Sequence, residues 1–145
     1  APNNVDDIAA AFERAVTPKT KLILISHQIN LTGQINPVKK VCQMARARGI
    51  ETIVDGAHSF AQFDFKRDDL DCDYFGTSLH KWTYAPKGTG LLYVRSEKIP
   101  KIWALMASEN KNKNDIRKFE EIGTHSAISV ALLDEQPESH SEGRF

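Results

Sequence analysis

The sequence predicts an α/β fold, a mainly parallel sheet with one antiparallel strand. Three observations lead there: short apolar runs rich in β-branched residues, amphipathic stretches of helical period between them, and one breaker-rich connection too short for a crossover helix. From Val5 to Val16, Ile8, Ala11, Phe12, Ala15 and Val16 recur at three- and four-residue spacing among Asp6, Asp7, Glu13 and Arg14, which predicts a helix ended by Thr17-Pro18-Lys19-Thr20. Leu22-Ile23-Leu24-Ile25 is a continuous apolar run, read as a strand covered on both faces, with a loop from Ser26 to Gly33. Pro37 suits a first helical turn; Val38, Val41, Cys42 and Ala45 share one face, and Gly49 stops the helix. Glu51-Thr52-Ile53-Val54 reads as the next strand, and strand, helix, strand with short connections requires parallel pairing.

A third strand is predicted over Tyr74 to Ser78. The acidic run from Asp68 to Asp73 before it reads as a solvated approach rather than a metal site, because hard cations need converging oxygens that a linear run does not guarantee. Gly90 to Val94 is the fourth strand. Leu79 to Thr89, broken by Pro86 and Gly88, leaves no room for a crossover helix, so this strand should run antiparallel to the third. Ser96 to Ala107 reads as another amphipathic helix, with Ile99, Ile102, Trp103 and Met106 on one side, followed by an exposed loop from Glu109 to Asp115. The domain is expected over residues 1–131, with 132–145 a polar, disordered or divergent tail.

The 145 residues, 41% hydrophobic and 26% charged, suit one domain. A formal charge of zero supplies no positive field for a nucleic-acid backbone or an anionic membrane, so neither is an expected partner. No apolar run approaches the ~18–20 residues that span a bilayer, and the first residues do not form a signal peptide. The absence of an initiating Met is read as a start inside something longer. Two cysteines, Cys42 and Cys72, lack the spacing of a disulfide scaffold or metal site and read as packing residues, which favours a reducing, cytoplasmic location.

Ligands of parallel α/β sheets collect beyond the carboxyl ends of the strands. Three polar clusters fall there: Ser26 to Gly33, Asp55 to Ser59, and Ser78 to Trp82. Taken singly, Asp55 reads as a cap, His58 as a core histidine and Lys81 as a solvated side chain. Together they fit an imine-forming site, in which a lysine near Phe75, Trp82 and Tyr84 loses its proton and attacks a carbonyl, and Asp55 pairs with a protonated ring nitrogen. Pyridoxal phosphate needs those two groups.

Val54-Asp55-Gly56-Ala57-His58-Ser59, followed by Ser78-Leu79-His80-Lys81-Trp82 and Ala85-Pro86-Lys87-Gly88-Thr89-Gly90, resembles the class V aminotransferase family of pyridoxal 5'-phosphate enzymes, which includes cysteine desulfurases, selenocysteine lyases and isopenicillin N epimerase. The resemblance runs from about Val5 to about Ala131, and the wording around the lysine is most similar to the epimerase-like branch. It implies the central part of an aspartate aminotransferase-like (fold type I) large domain. It also implies that Lys81 is the Schiff-base lysine and Asp55 the partner of the pyridine nitrogen, with His58 beside the ring hydroxyl. Asn30, in a His27-Asn30-Gly33 element, matches another contact to the cofactor ring, and Ser78 and His80 match phosphate contacts. Thr124 matches a threonine that reaches the neighbouring subunit's phosphate, which implies a homodimer acting on an amino-acid substrate.

Family members are longer. The parts that normally supply a further phosphate loop, a ring stacked on the cofactor and an arginine for the substrate carboxylate cannot be located in this chain, and the residues after about Ala131 depart from the family's continuation. The chain therefore reads as the middle of a catalytic domain. Epimerisation, transamination and elimination stay open, as do cysteine desulfurase or selenocysteine lyase activity and a non-catalytic truncated fragment.

Overall fold

The computed structural model describes residues 4–106, 113–120 and 123. Helix α1 spans Val5–Ala15, and its first turn is capped by the Asn4 side chain, which accepts the Asp7 N–H at 2.9 Å. Asp6 and Asp7 near its N-terminus and Arg14 in its last turn match the helix dipole. Strand β1, Leu22–Ser26, leads to α2, Val38–Ala47, which starts one residue after Pro37. Val38, Val41, Cys42 and Ala45 are its buried residues, the face that the spacing predicts. Each buried valine contributes about 1.5–3 kcal/mol relative to exposure. Gly49, at φ +68°, takes the left-handed conformation that turns the chain into β2, Glu51–Asp55.

The four strands lie in the order β1-β2-β3-β4, with β3 at Tyr74–Ser78 and β4 at Gly90–Val94. The first two pairings are parallel and the last is antiparallel, so the mixed sheet read from the connection lengths is the one present. Ile23, Ile25, Val54 and Phe75 face α2 in the main core. On the other face, Tyr74, Val94 and Ile99 make a smaller cluster with Ile53, Ile102 and Phe119.

Three expectations change. Strand β1 is not covered on both faces: among the described residues it is an edge strand, with Leu22 and Leu24 47% and 65% exposed, because the covering helix contacts lie on the Ile23 and Ile25 side. The described part of the stretch expected as an amphipathic helix, Ser96 to Met106, is not one. A 3-10 helix covers Ser96–Lys101 and stops at Ile102, because Pro100 lacks the N–H that an α-helix needs there and its ring crowds the preceding turn; Trp103 is left 92% exposed. The acidic run is solvated only in part: Asp68 and Asp69 are exposed, whereas Asp73 is buried. Arg67–Leu70 form the short helix α3, and Asp71 bridges Arg46 at 2.8 Å and Arg95 at 3.1 Å.

Asp73 is buried, and its Oδ2 accepts the Thr52 N–H at 2.9 Å and the Thr52 hydroxyl at 3.3 Å. Its other oxygen lies 3.6 Å from Arg95 Nε and 3.7 Å from Lys98 Nζ. The carboxylate thus takes over a backbone donor of β2 just before regular pairing with β3 begins at Ile53 and Tyr74. The expected tail at 132–145 and most of the loop after Glu109 lie outside the described residues.

Candidate active site

The parallel strands β1, β2 and β3 end on one edge of the sheet. Ser26 pairs with Asp55, and Asp55 with Gly76, two residues before Ser78. Asp55 is therefore the last residue of a strand rather than part of a free loop, and its Oδ1 accepts the Ala57 N–H at 2.9 Å. The next turn is held at Gly56: its N–H donates to the Gly76 carbonyl at 2.8 Å, and its own carbonyl accepts the Thr77 hydroxyl at 3.2 Å and the amides of Ser59 and Phe60 at 3.1 and 2.9 Å. A Cβ at Gly56 would stand 2.1 Å from Cζ of the fully buried Phe75 ring. Gly56→Ala is accordingly expected to destabilise the protein by about 1–3 kcal/mol, seen as a lower urea midpoint. An unchanged midpoint would show that Phe75 moves aside freely.

This turn carries His58, and the turn after β3 carries Lys81. Their nitrogens, Nε2 and Nζ, are 3.1 Å apart. The Lys81 turn is tied at Leu79, whose N–H donates to the Thr89 carbonyl at 3.1 Å and whose carbonyl accepts the Ala85 N–H at 3.2 Å and the Thr83 hydroxyl. The aromatic enclosure expected for Lys81 is not formed by the residues named for it. Trp82 and Tyr84 are 40% and 84% exposed, and Phe75 lies beneath Gly56 in the main core. Tyr84 sits at φ +55°, a strained backbone for a tyrosine, and its ring is exposed. What meets the lysine is an imidazole.

Beside these turns lies an open groove of about 450 Å³, within the range of about 300–1,000 Å³ typical of small-molecule sites. Asp55, Ala57, Gly76, Ser78, Gly90 and Leu92 line it. Gly76 is a feature that sequence reasoning misses. A Cβ there would meet nothing within 4 Å, so its hydrogen keeps the groove floor open beside Asp55. A glycine inside the strand Tyr74–Ser78 is the available signal for such a close approach. The hydroxyl of Thr77, which ties β3 to the Gly56 turn, is missed in the same way.

The structure thus brings Asp55, His58, Ser78 and Lys81 to one edge of the sheet. His80 and Asn30 are exposed, His80 in the Lys81 turn and Asn30 in the turn after β1, and Thr124 lies outside the described residues. Both cysteines are buried, and burial pushes the Cys72 thiol up to about 11 and the Cys42 thiol upward, so neither is a thiolate nucleophile near neutral pH. Among the described residues no cluster of His, Cys, Asp or Glu could hold a metal ion, and no helix is long and apolar enough to cross a membrane.

His27, of the predicted His27-Asn30-Gly33 element, is buried edge-on against Phe63 and Phe65 at centroid distances of 5.3 and 4.7 Å. Burial lowers its pKa to about 4, below the ordinary value of 6.5. Between those values the unfolded chain holds the proton and the folded chain does not. The associated stability is complete above about pH 6.5 and is lost as pH falls toward about 4, to the extent of a few kcal/mol. Urea midpoints at several pH values should show this slope in the wild type and a shallower one in His27→Phe; equal slopes would remove His27 as the cause.

Residues 3–135 match the family model described as aminotransferase class-V. The chain belongs to that family. This class-V chain is 42% identical over 93 residues to isopenicillin N epimerase of Streptomyces clavuligerus, covering 64% of this chain and 23% of the relative. It is 38% identical over 96 residues to a probable cysteine desulfurase of Xylella fastidiosa (strain Temecula1), covering 66% and 23%. Among solved structures, SspA in complex with cysteine aligns with a TM-score of 0.70 at 28% identity, over 89% of this chain and 37% of that one. The cysteine desulfurase CsdA from Escherichia coli aligns with a TM-score of 0.64 at 25% identity, over 70% and 25%. The class-V chain therefore spans under a quarter of the length of these curated relatives, and its mixed α/β sheet has the fold of part of a cysteine desulfurase.

Proposed function

We propose that the chain forms the lysine-bearing part of a pyridoxal 5'-phosphate site in an enzyme acting on an amino acid, of the epimerase or lyase type. The observation that carries this reading is the shared edge: Asp55 ends β2 at a groove, and Lys81, three residues beyond the end of β3, meets His58 from the Asp55 turn. The donor set fits the group. An amine, a carboxylate, a hydroxyl and two imidazoles match an aldehyde, a basic ring nitrogen and a phosphate.

Each residue then has a physical task. Asp55, one oxygen of which accepts the Ala57 N–H, holds a protonated ring nitrogen with the rest of its charge. The Ser78 hydroxyl and the His80 ring donate to phosphate oxygens, and Asn30 reaches the ring from the β1 turn. When bound, the cofactor supplies an electron sink for the bond broken at the substrate α-carbon. Lys81 binds it and moves the α-proton. In the same reading the working enzyme is a homodimer, with Thr124 reaching the neighbouring subunit's phosphate.

Titration with pyridoxal 5'-phosphate tests the proposal. A saturable visible absorbance band that borohydride removes is the expected result. Absence of the band would favour a chain unable to hold the cofactor by itself, which is the reading that the open groove and the short coverage of the relatives also allow.

A further inference from the structure

We propose that His58 is the proton acceptor for Lys81, an inference that rests on Lys81 being the cofactor-bearing amine. Nζ lies 3.1 Å from Nε2, and an ammonium has three donors and no acceptor. With Lys81 as an ammonium, the contact takes a neutral imidazole with its lone pair at Nε2 and its proton at Nδ1. The two side chains come from separate turns, each fixed independently: the His58 turn through the Gly56 carbonyl, the Lys81 turn through Leu79 and Thr89. Their approach spans 23 positions of sequence and depends on how the two turns pack, not on sequence proximity.

An ammonium cannot attack a carbonyl carbon, so the amine must first lose a proton, and Nε2 is the acceptor within hydrogen-bond reach. One Nζ–H bond breaks and one Nε2–H bond forms, giving a neutral amine and an imidazolium. As the new C–N bond forms and the carbonyl C–O bond breaks, the oxygen leaves as water. One of its hydrogens comes from Nζ and the other from Nε2. Nζ keeps the third hydrogen and the positive charge, and His58 ends neutral as it began, so the balance needs no further reactant.

Two measurements test this. In protein carrying ¹⁵N-labelled histidine at neutral pH, His58, assigned by its loss in His58→Gln, should show the Nδ1-protonated tautomer, and Lys81→Met should shift it toward the Nε2-protonated form. A wild-type His58 protonated at Nε2, or a pattern unmoved by Lys81→Met, would overturn the proposal. The amide that His58→Gln introduces can accept a hydrogen bond but cannot carry a proton away. Covalent capture of pyridoxal 5'-phosphate at Lys81, trapped with borohydride and read from the peptide mass, should slow by about 10²-fold or more in that variant and recover in part with added imidazole. Capture at the wild-type rate would mean that His58 only positions the amine. If the wild type captures nothing, the cofactor reading fails, while the tautomer measurement still decides whether the pair exists.

Discussion

Replacing Lys81 with alanine removes the borohydride-stable attachment of pyridoxal 5'-phosphate and any turnover that depends on it. The loss should be complete rather than graded, because no other described amine stands against an imidazole at the Asp55 edge of the sheet. The fold should be unaffected. The Lys81 turn is held by backbone bonds from Leu79 to Thr89 and Ala85 and by the Thr83 hydroxyl, and the Lys81 side chain itself bonds to His58 alone among the described residues. The check pairs visible absorbance with a urea titration of the same variant. An alanine variant that keeps the band would move the site to another lysine.

The largest stability loss is expected at the opposite end of the sheet. Asp73→Ala leaves the Thr52 N–H and hydroxyl without their acceptor and takes the anion away from Arg95 and Lys98, all in a largely buried setting. Breaking such a buried pair from one side costs about 3–5 kcal/mol, a large part of the ~5–15 kcal/mol that holds a domain together. Asp73→Asn should fall between alanine and wild type, since an amide oxygen still accepts from Thr52 but carries no charge. Urea unfolding separates the three; equal midpoints would show that the contact contributes nothing.

The strands and their directions were legible because they follow from local rules. Short runs of strand-forming residues, a helix of the right period between β1 and β2, and too few residues between Ser78 and Gly90 for a crossover leave few topologies. The differences have two origins, a local breaker masked by the periodicity and a side-chain contact made at a distance. Ile99, Ile102, Trp103 and Met106 have helical spacing, and the period hid the effect of Pro100. Asp73 looked like part of a solvated run because its partner Thr52 lies 21 positions away. At the site, Asp55 and Lys81 were visible as residue types placed after strands, whereas the contact between Lys81 and His58 depends on how two turns lean toward each other. Gly56 and Gly76 were legible only as glycines. That one admits the Phe75 ring and the other keeps a groove open requires the packed sheet.

The most direct test is to treat the protein with pyridoxal 5'-phosphate, reduce it with borohydride, digest it and locate the label among its lysines. The label is expected on Lys81, and Asp55→Ala is expected to weaken the labelling there. Label spread over exposed lysines, indifferent to Asp55, would contradict this expectation.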